Sequence, residues 1–193
     1  MIRKINSGGF TLIEMALVLV LGGMLMTVVL KGQTMIESAK LLRVVNDLQS
    51  ISVAYNTYSA MYNALPGDDG NSHGWMNVDR GNNNGLIEGQ SAIDGSEAHE
   101  AWQALRQSGL LIGNPDATSE NQLFKNPYGG HYRFSFRNFG PRSGMKNCIV
   151  VDGLAGRMAE SIDIKYDDGL FNSGSVTADT AYTDQTVELY YAM

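Results

Sequence analysis

An α+β fold, with one long N-terminal helix followed by a small antiparallel sheet domain, is predicted by three features of this 193-residue chain. No proline precedes Pro66, and the stretch before it reads as one long helix. From Leu65-Pro66-Gly67-Asp68-Asp69-Gly70 to about Gly95 the chain is mostly Gly, Asn and Asp, which is turn and loop composition. Beyond that, short apolar-alternating segments are separated by turn residues, as strands in an antiparallel sheet are.

The helix has two characters. Phe10 to Leu30 is almost entirely apolar, and its length approaches the roughly 20 residues a membrane-spanning helix needs. After Lys31, the residues Met35, Ile36, Ala39, Leu42, Val45, Leu48, Ser52, Tyr55 and Tyr58 recur at steps of three and four. That spacing predicts an amphipathic helix, with Lys40, Arg43, Asp47 and Gln49 on its other face. Unbroken from Phe10 to Ala64, such a helix runs on the order of 80 Å. Gly22-Gly23 interrupts the apolar half. It suits close packing of small residues against another helix and equally a local weak point, since each glycine costs about 1 kcal/mol of helix preference.

The remaining elements follow in order. Ser96 to Arg106 reads as a second helix: Ser96 caps it, acids fill its first turn and Gly109 stops it. Its predicted buried stripe is Ala98, Ala101, Trp102 and Leu105. Tyr132–Arg137 and Lys146–Asp152 alternate as strands. Leu154–Glu160 is a short helix, and Ile162–Tyr166 and Thr186–Tyr191 are the last predicted strands. Tyr55, Tyr58 and Tyr62 fall on one helical stripe and are read as core contacts to the sheet.

Composition narrows the function. The formal net charge is -6, which gives no broad basic face for nucleic acid. Cys148 is the sole cysteine, so no intramolecular disulfide forms. It sits in the apolar run Cys148-Ile149-Val150-Val151 and is read as a buried small hydrophobe. There is no G-x-S-x-G, no H-E-x-x-H and no phosphate loop. His73, His99 and His131 are scattered, so no catalytic site is expected and the chain is read as a non-enzyme.

Glu14 is the most informative residue. It lies four positions after Phe10 in a segment otherwise fit for a bilayer, where a charge costs roughly 3 kcal/mol or more. Two roles are open. Thr11-Leu12-Ile13-Glu14 fits the S/T-x-x-E capping box, in which the glutamate answers the first helix amides. Alternatively the charge awaits a partner. The preceding leader carries Arg3 and Lys4 and ends in Gly8-Gly9, so its small residues stand before the apolar stretch. A secretory signal places its cleavage site after that stretch. Arg3 and Lys4 set the N-terminus on the cytoplasmic side.

The basic leader followed by Gly9-Phe10-Thr11-Leu12-Ile13-Glu14 and an apolar run resembles the N-terminus of type IV prepilins, the class that includes pilins and type II secretion pseudopilins. Weaker likenesses to pseudopilin-like prepilins follow at Leu65-Pro66-Gly67-Asp68, Gly81-Asn82-Asn83-Asn84-Gly85-Leu86-Ile87, Ala101-Trp102-Gln103-Ala104-Leu105 and Ile162–Gly169. The resemblance implies a pilin-like fold and four parts: a leader, 1–9; a membrane and filament-core half of the helix, 10–31; an amphipathic half, 32–65; and a globular head, 66–193. It implies cleavage between Gly9 and Phe10, N-methylation of Phe10 by a prepilin peptidase/methyltransferase, and assembly through Phe10 and Glu14. It further implies a homo-oligomeric helical filament, built from an inner-membrane pool by an assembly platform and a cytoplasmic ATPase. The head then lies in the periplasm, and the filament is periplasmic or extracellular. The Gly22-Gly23 region becomes, by the same resemblance, a stretch able to unwind on assembly. The rival expectation is a single-pass membrane-anchored periplasmic binding protein that does not polymerise.

One cofactor is expected as an option. Calcium takes six to eight oxygens, which closely spaced Asp and Asn residues around a glycine turn supply. Asp79, Asn82 and Asn84 offer such a set, although alignment of Gly85 with the EF-hand glycine puts Arg80 at the first ligand position. Major pseudopilins bind calcium nearer the C-terminus, which points to Asp163, Asp167, Asp168 and Asn172. The competing reading of both loops is a plain turn, since Asn-Gly and Asp-Gly are favoured turn pairs.

Overall fold

The computed structural model describes residues 9–71, 73–75, 78–91, 93, 95–114, 124–139 and 144–193. Arg3 and Lys4 of the leader therefore lie outside the described residues. The fold is α+β and pilin-like: a long N-terminal helix and a small antiparallel four-stranded sheet. Helix α1 spans Leu12–Tyr62 and α2 spans Glu97–Gln107; strands β1 (Tyr132–Asn138) and β2 (Met145–Leu154) lead into helix α3 (Gly156–Tyr166), then β3 (Val176–Ala178) and β4 (Val187–Ala192). The chain forms two compact units, one ending at Lys40 and the other starting at Leu41.

In the first unit the helix leaves its large apolar side chains exposed. Phe10, Leu12, Leu17, Leu25, Val29 and Ile36 are all exposed. Among the described residues, α1 is the one helix long and apolar enough to cross a membrane. Gly22 and Gly23 both lie inside α1, and nothing stands near the place a side chain on either would take.

The second unit has a core. The sheet order is β1-β2-β4-β3, antiparallel throughout. Phe134 sits opposite Ile149, and Ile149 opposite Tyr191, so one sheet face carries Tyr132, Phe134, Ile149, Val151, Val187 and Leu189 inward. Helix α1 meets that face with Val44, Val45, Leu48, Ile51, Ala54, Tyr55 and Tyr58. The stripe differs from the predicted one at its start and in its middle. Leu42 is exposed, and Val44 and Ile51, absent from the prediction, are buried. Tyr55 stacks on Phe134 with ring centroids 6.4 Å apart, which agrees with the tyrosine reading for that residue; Tyr58 and Tyr62 set their rings against Trp75 of the following loop, at 6.3 and 5.6 Å. Asp47 is not simply solvated, because Tyr132 donates its hydroxyl to Asp47 Oδ2 at 2.9 Å.

Helix α2 begins as predicted. Ser96 is its N-cap and accepts the His99 amide. It is buried far beyond a stripe: His99, Glu100, Gln103 and Arg106 join Ala98, Ala101, Trp102 and Leu105 inside. Trp102 packs against Phe134 and Phe124 at 4.5 and 5.3 Å. The other sheet face carries a smaller cluster of Phe139, Cys148 and Val150, with the Arg137 guanidinium 4.1 Å over Tyr190. Cys148 is fully buried and its thiol is pushed up to about 12 by desolvation, which fits an inert hydrophobe.

The predicted strand Ile162–Tyr166 is wrong: those residues end helix α3. The alternation of Ile162 and Ile164 suggested a strand. Burial instead follows Ala159, Ile162 and Asp163, a helical spacing, and Ile164 is exposed. Strand β3 lies outside the predicted strands; at three residues it is too short to show alternation.

The Gly/Asn/Asp segment after Pro66 is a loop, and buried polar contacts pin it. Asp68 accepts the Asn84 and Gly85 amides at 3.1 and 2.7 Å. Asn147 on β2 accepts the Ile87 amide at 2.8 Å and donates to Gly85 O and the Tyr55 hydroxyl. Glu97 accepts the Asn82 and Glu88 amides. Gly81 fits because a Cβ there would lie 2.3 Å from Asp68 Cα.

Candidate functional site

Two places bring the residues named from the sequence together. The first is the start of α1. Thr11 stands just before the first helical residue, Leu12. Its amide and its hydroxyl both donate to Glu14 Oε2 at 2.8 Å, and the Glu14 amide donates to Thr11 Oγ1 at 3.3 Å. This is a capping box, in which two otherwise orphaned donors are answered reciprocally. Glu14 is thus engaged within its own chain, through one carboxylate oxygen. Among the described residues no hydrogen bond reaches Oε1, and the side chain is exposed. Phe10, next to the capping threonine, is 83 % exposed. Downstream, Ile13, Ala16, Leu17, Val20, Leu21 and Met24 line an apolar groove along the helix. Gly9, Phe10 and Glu14 therefore lie within one turn of a helix start whose surface is otherwise apolar.

The second place is the acidic knot after α3. Asp163, Asp167 and Asp168 bring one carboxylate oxygen each to within 4.8 Å of one another. Asp163 is fully buried. The Tyr182 hydroxyl donates to its Oδ2 at 2.6 Å, while Oδ1 has no hydrogen-bond partner among the described residues. Burial raises the Asp163 pKa, against the pull of the Tyr182 hydroxyl and the nearby Gly169 amide. Asp167 accepts the amides of Ser175 and Val176, the latter at 2.7 Å, at the entrance to β3. Asp168 accepts the Leu170 amide at 2.8 Å and the Ser173 hydroxyl at 2.6 Å. Gly174 closes against this group, since a Cβ there would lie 2.0 Å from Asp167 Oδ2. A buried carboxylate oxygen without a donor, facing two further carboxylates, suits a hard cation with oxygen ligands. Asn172, also named from the sequence, is an exposed turn residue in the same loop.

The other predicted set is used differently. Asn82 Oδ1 accepts the Asn84 amide and Asn84 Oδ1 accepts the Leu86 amide, a run of side-chain turns. Asn82 also donates to Glu88, and the Asp79 amide donates to the buried Glu100 at 2.9 Å. The oxygens of Asn82 and Asn84 thus serve the loop's own backbone.

Sequence reasoning missed the residues that organise this head: Asn147, Ser91, His99 and Tyr182. Ser91 Oγ meets Ala98 O and both the amide and carbonyl of Phe134. His99 Nδ1 lies 2.8 Å from Ser91 O. Isolated polar residues give no periodic signal, so only the fold reveals their partners.

A membrane-compatible helix, begun by a capped glutamate and followed by a small α+β head, defines a pilin-like architecture. Residues 4–30 match the prokaryotic N-terminal methylation motif, the type IV prepilin-like leader segment. That motif indicates a type IV pilin- or pseudopilin-like precursor. No curated protein and no solved structure matches the chain.

Proposed function

We propose that the chain is a structural, non-catalytic subunit of a type IV pilus-like or pseudopilus filament. A prepilin peptidase cuts between Gly9 and Phe10 and the Phe10 amine is methylated. The subunit waits in the inner membrane, with its head in the periplasm, until a platform and a cytoplasmic ATPase drive assembly. The single observation that carries this reading is Glu14, an exposed carboxylate kept within an apolar, unpacked helix that begins in a methylation motif.

The mechanism follows from charge. After cleavage the Phe10 amine is a cation beside an apolar surface. In the filament, the amine of an incoming subunit meets Glu14 of a neighbour through the carboxylate oxygen that the Thr11 cap leaves open. Removing one partner from a buried pair costs about 3–5 kcal/mol, so only the register that pairs both groups is stable. Apolar helix surface then buries against other copies and supplies the bulk of the attraction. A membrane-anchored binding protein that never polymerises needs neither cleavage nor the glutamate.

Intact-mass measurement tests the processing step. The mature subunit should lack Met1–Gly9 and carry one added methyl, and Gly9→Leu should leave the leader attached. A normal mature mass from Gly9→Leu would overturn the cleavage site.

A calcium ion in the knot of Asp163, Asp167 and Asp168 is a second part of the proposal, supported by the unpartnered Asp163 Oδ1. Bound there, calcium would cross-link α3 to the β3 entrance, in a chain with no disulfide to do so. A site filled at about 100 times its dissociation constant adds about 2.7 kcal/mol to stability. A chelator should therefore lower the melting temperature of the head; an unchanged melting curve would leave only the turn reading.

A further inference from the structure

The unusual feature of the acidic knot is that a neutral side chain from a different segment reaches its most buried member. Tyr182 belongs to the connection between β3 and β4, and Asp163 to α3. Their contact, hydroxyl to Oδ2 at 2.6 Å, joins two pieces of chain otherwise separated by the whole loop and β3. The connection is seated before the hydroxyl is considered. Gly156, at the start of α3, leaves room for the Tyr182 carbonyl, which would stand 2.1 Å from a Cβ at that position. The Tyr182 ring then meets Phe171 edge-on, centroids 6.4 Å apart and planes at 76°. The phenol is thus held at its backbone, along its ring and at its tip.

A carboxylate with one oxygen fixed by a short hydrogen bond has its other oxygen fixed too. Here Oδ2 is taken by Tyr182, and Oδ1 is the oxygen without a partner. Ligating carboxylates are commonly oriented by such outer hydrogen bonds, and losing one typically costs 10–100-fold in metal affinity.

Resting on the calcium reading above, we propose that Tyr182 is the positioning residue of this cation site: its hydroxyl holds Asp163 so that Oδ1 stays presented to the ion alongside Asp167 and Asp168. Tyr182 is not itself a ligand. It acts through Asp163, and it makes the β3–β4 connection part of the site. Cation binding in the α3 loop is thereby coupled to the β3–β4 connection, in addition to the β3 entrance that Asp167 already holds.

The test is calcium titration by calorimetry on the full mature chain in detergent micelles, with wild type, Tyr182→Phe and Phe171→Leu. Melting temperatures of all three are taken in chelator. Tyr182→Phe keeps the ring and removes only the hydroxyl; Phe171→Leu loosens the ring and keeps the hydroxyl. The expected result is calcium binding by wild type, a dissociation constant raised about 10–100-fold in Tyr182→Phe, and a far smaller change in Phe171→Leu. In chelator Tyr182→Phe should melt below wild type, because the buried Asp163 carboxylate loses its hydroxyl donor; the change in calcium affinity is read separately, from the titration. Equal calcium affinity in wild type and Tyr182→Phe would overturn the role of Tyr182 and leave the calcium site standing. A loss in Phe171→Leu as large as in Tyr182→Phe would show that Tyr182 acts through packing, and would overturn the proposal as well. Absence of calcium binding by wild type would remove the site itself.

Discussion

Helix α1 crosses two environments, and its two stretches obey different rules. From Leu12 to Lys40 its large apolar residues face outward, and its visible polar specialisation is the capping box of Thr11 and Glu14. From Leu41 to Tyr62 the same helix buries a stripe from Val44 to Tyr58 and offers Asp47 and Tyr55 to polar partners on the sheet. The first stretch has surface but no core; the second has both. An exposed apolar surface this extensive marks a membrane or protein partner, so the first stretch gains its stability outside the subunit and the second within it.

Mutations should separate the two. Trp102→Ala should destabilise the head by about 3–5 kcal/mol, because it empties a fully buried aromatic site between Phe124 and Phe134. Leu25→Ala, on the exposed stretch, should leave the melting temperature of the head unchanged in micelles. Thermal denaturation of both variants checks the contrast, and a comparable loss in Leu25→Ala would mean that the first stretch has a core within the subunit.

A smaller effect comes from Glu100, which is buried in α2 and accepts the Asp79 amide. Desolvation raises its pKa above the ordinary 4.5, despite the lowering pull of the Asp79 and Gly95 amides and of His99. A carboxyl whose folded pKa is raised binds its proton more tightly when folded. Its contribution to stability is therefore fully present below pH 4.5 and is lost as pH rises through the raised folded value. Glu100→Gln removes that dependence. The variant should gain on wild type as pH climbs through this window, measured by urea denaturation at a series of pH values. The mature head with parallel pH curves for the two proteins would contradict the assignment.

The difference between the stretches also decides what is legible in sequence. The first half of α1 follows from an apolar run and one misplaced charge, and the prepilin-like start from six consecutive residues. Helix α2 follows from Ser96, its acids and Gly109. The Ile162–Tyr166 segment misleads because two isoleucines at a spacing of two imitate a strand, while the deciding partner is Ala159 on the same helix face. Asn147, Ser91 and Tyr182 are illegible because each is one polar residue whose partners lie far off in the chain, as Asn147 to Tyr55 and Tyr182 to Asp163 do. The Asp/Asn loops can be recognised as oxygen-rich. Which of their oxygens are already taken by backbone amides depends on the fold alone.

The central claim is that Glu14 is kept for a partner on another copy as well as for its own cap. Homogeneous Glu14→Ala subunits, expressed at wild-type level, test it most directly by electron microscopy of the cells alongside intact-mass measurement of the subunit. Membrane insertion should be intact or improved, since an intramembrane charge is gone, and the Gly9–Phe10 cut should be normal because it precedes the change. The account predicts correctly cleaved subunits that accumulate in the membrane without filaments, because the Phe10 amine then enters the assembly unpaired. Normal filaments built from Glu14→Ala subunits alone would contradict it and leave apolar helix packing as the sole determinant of register.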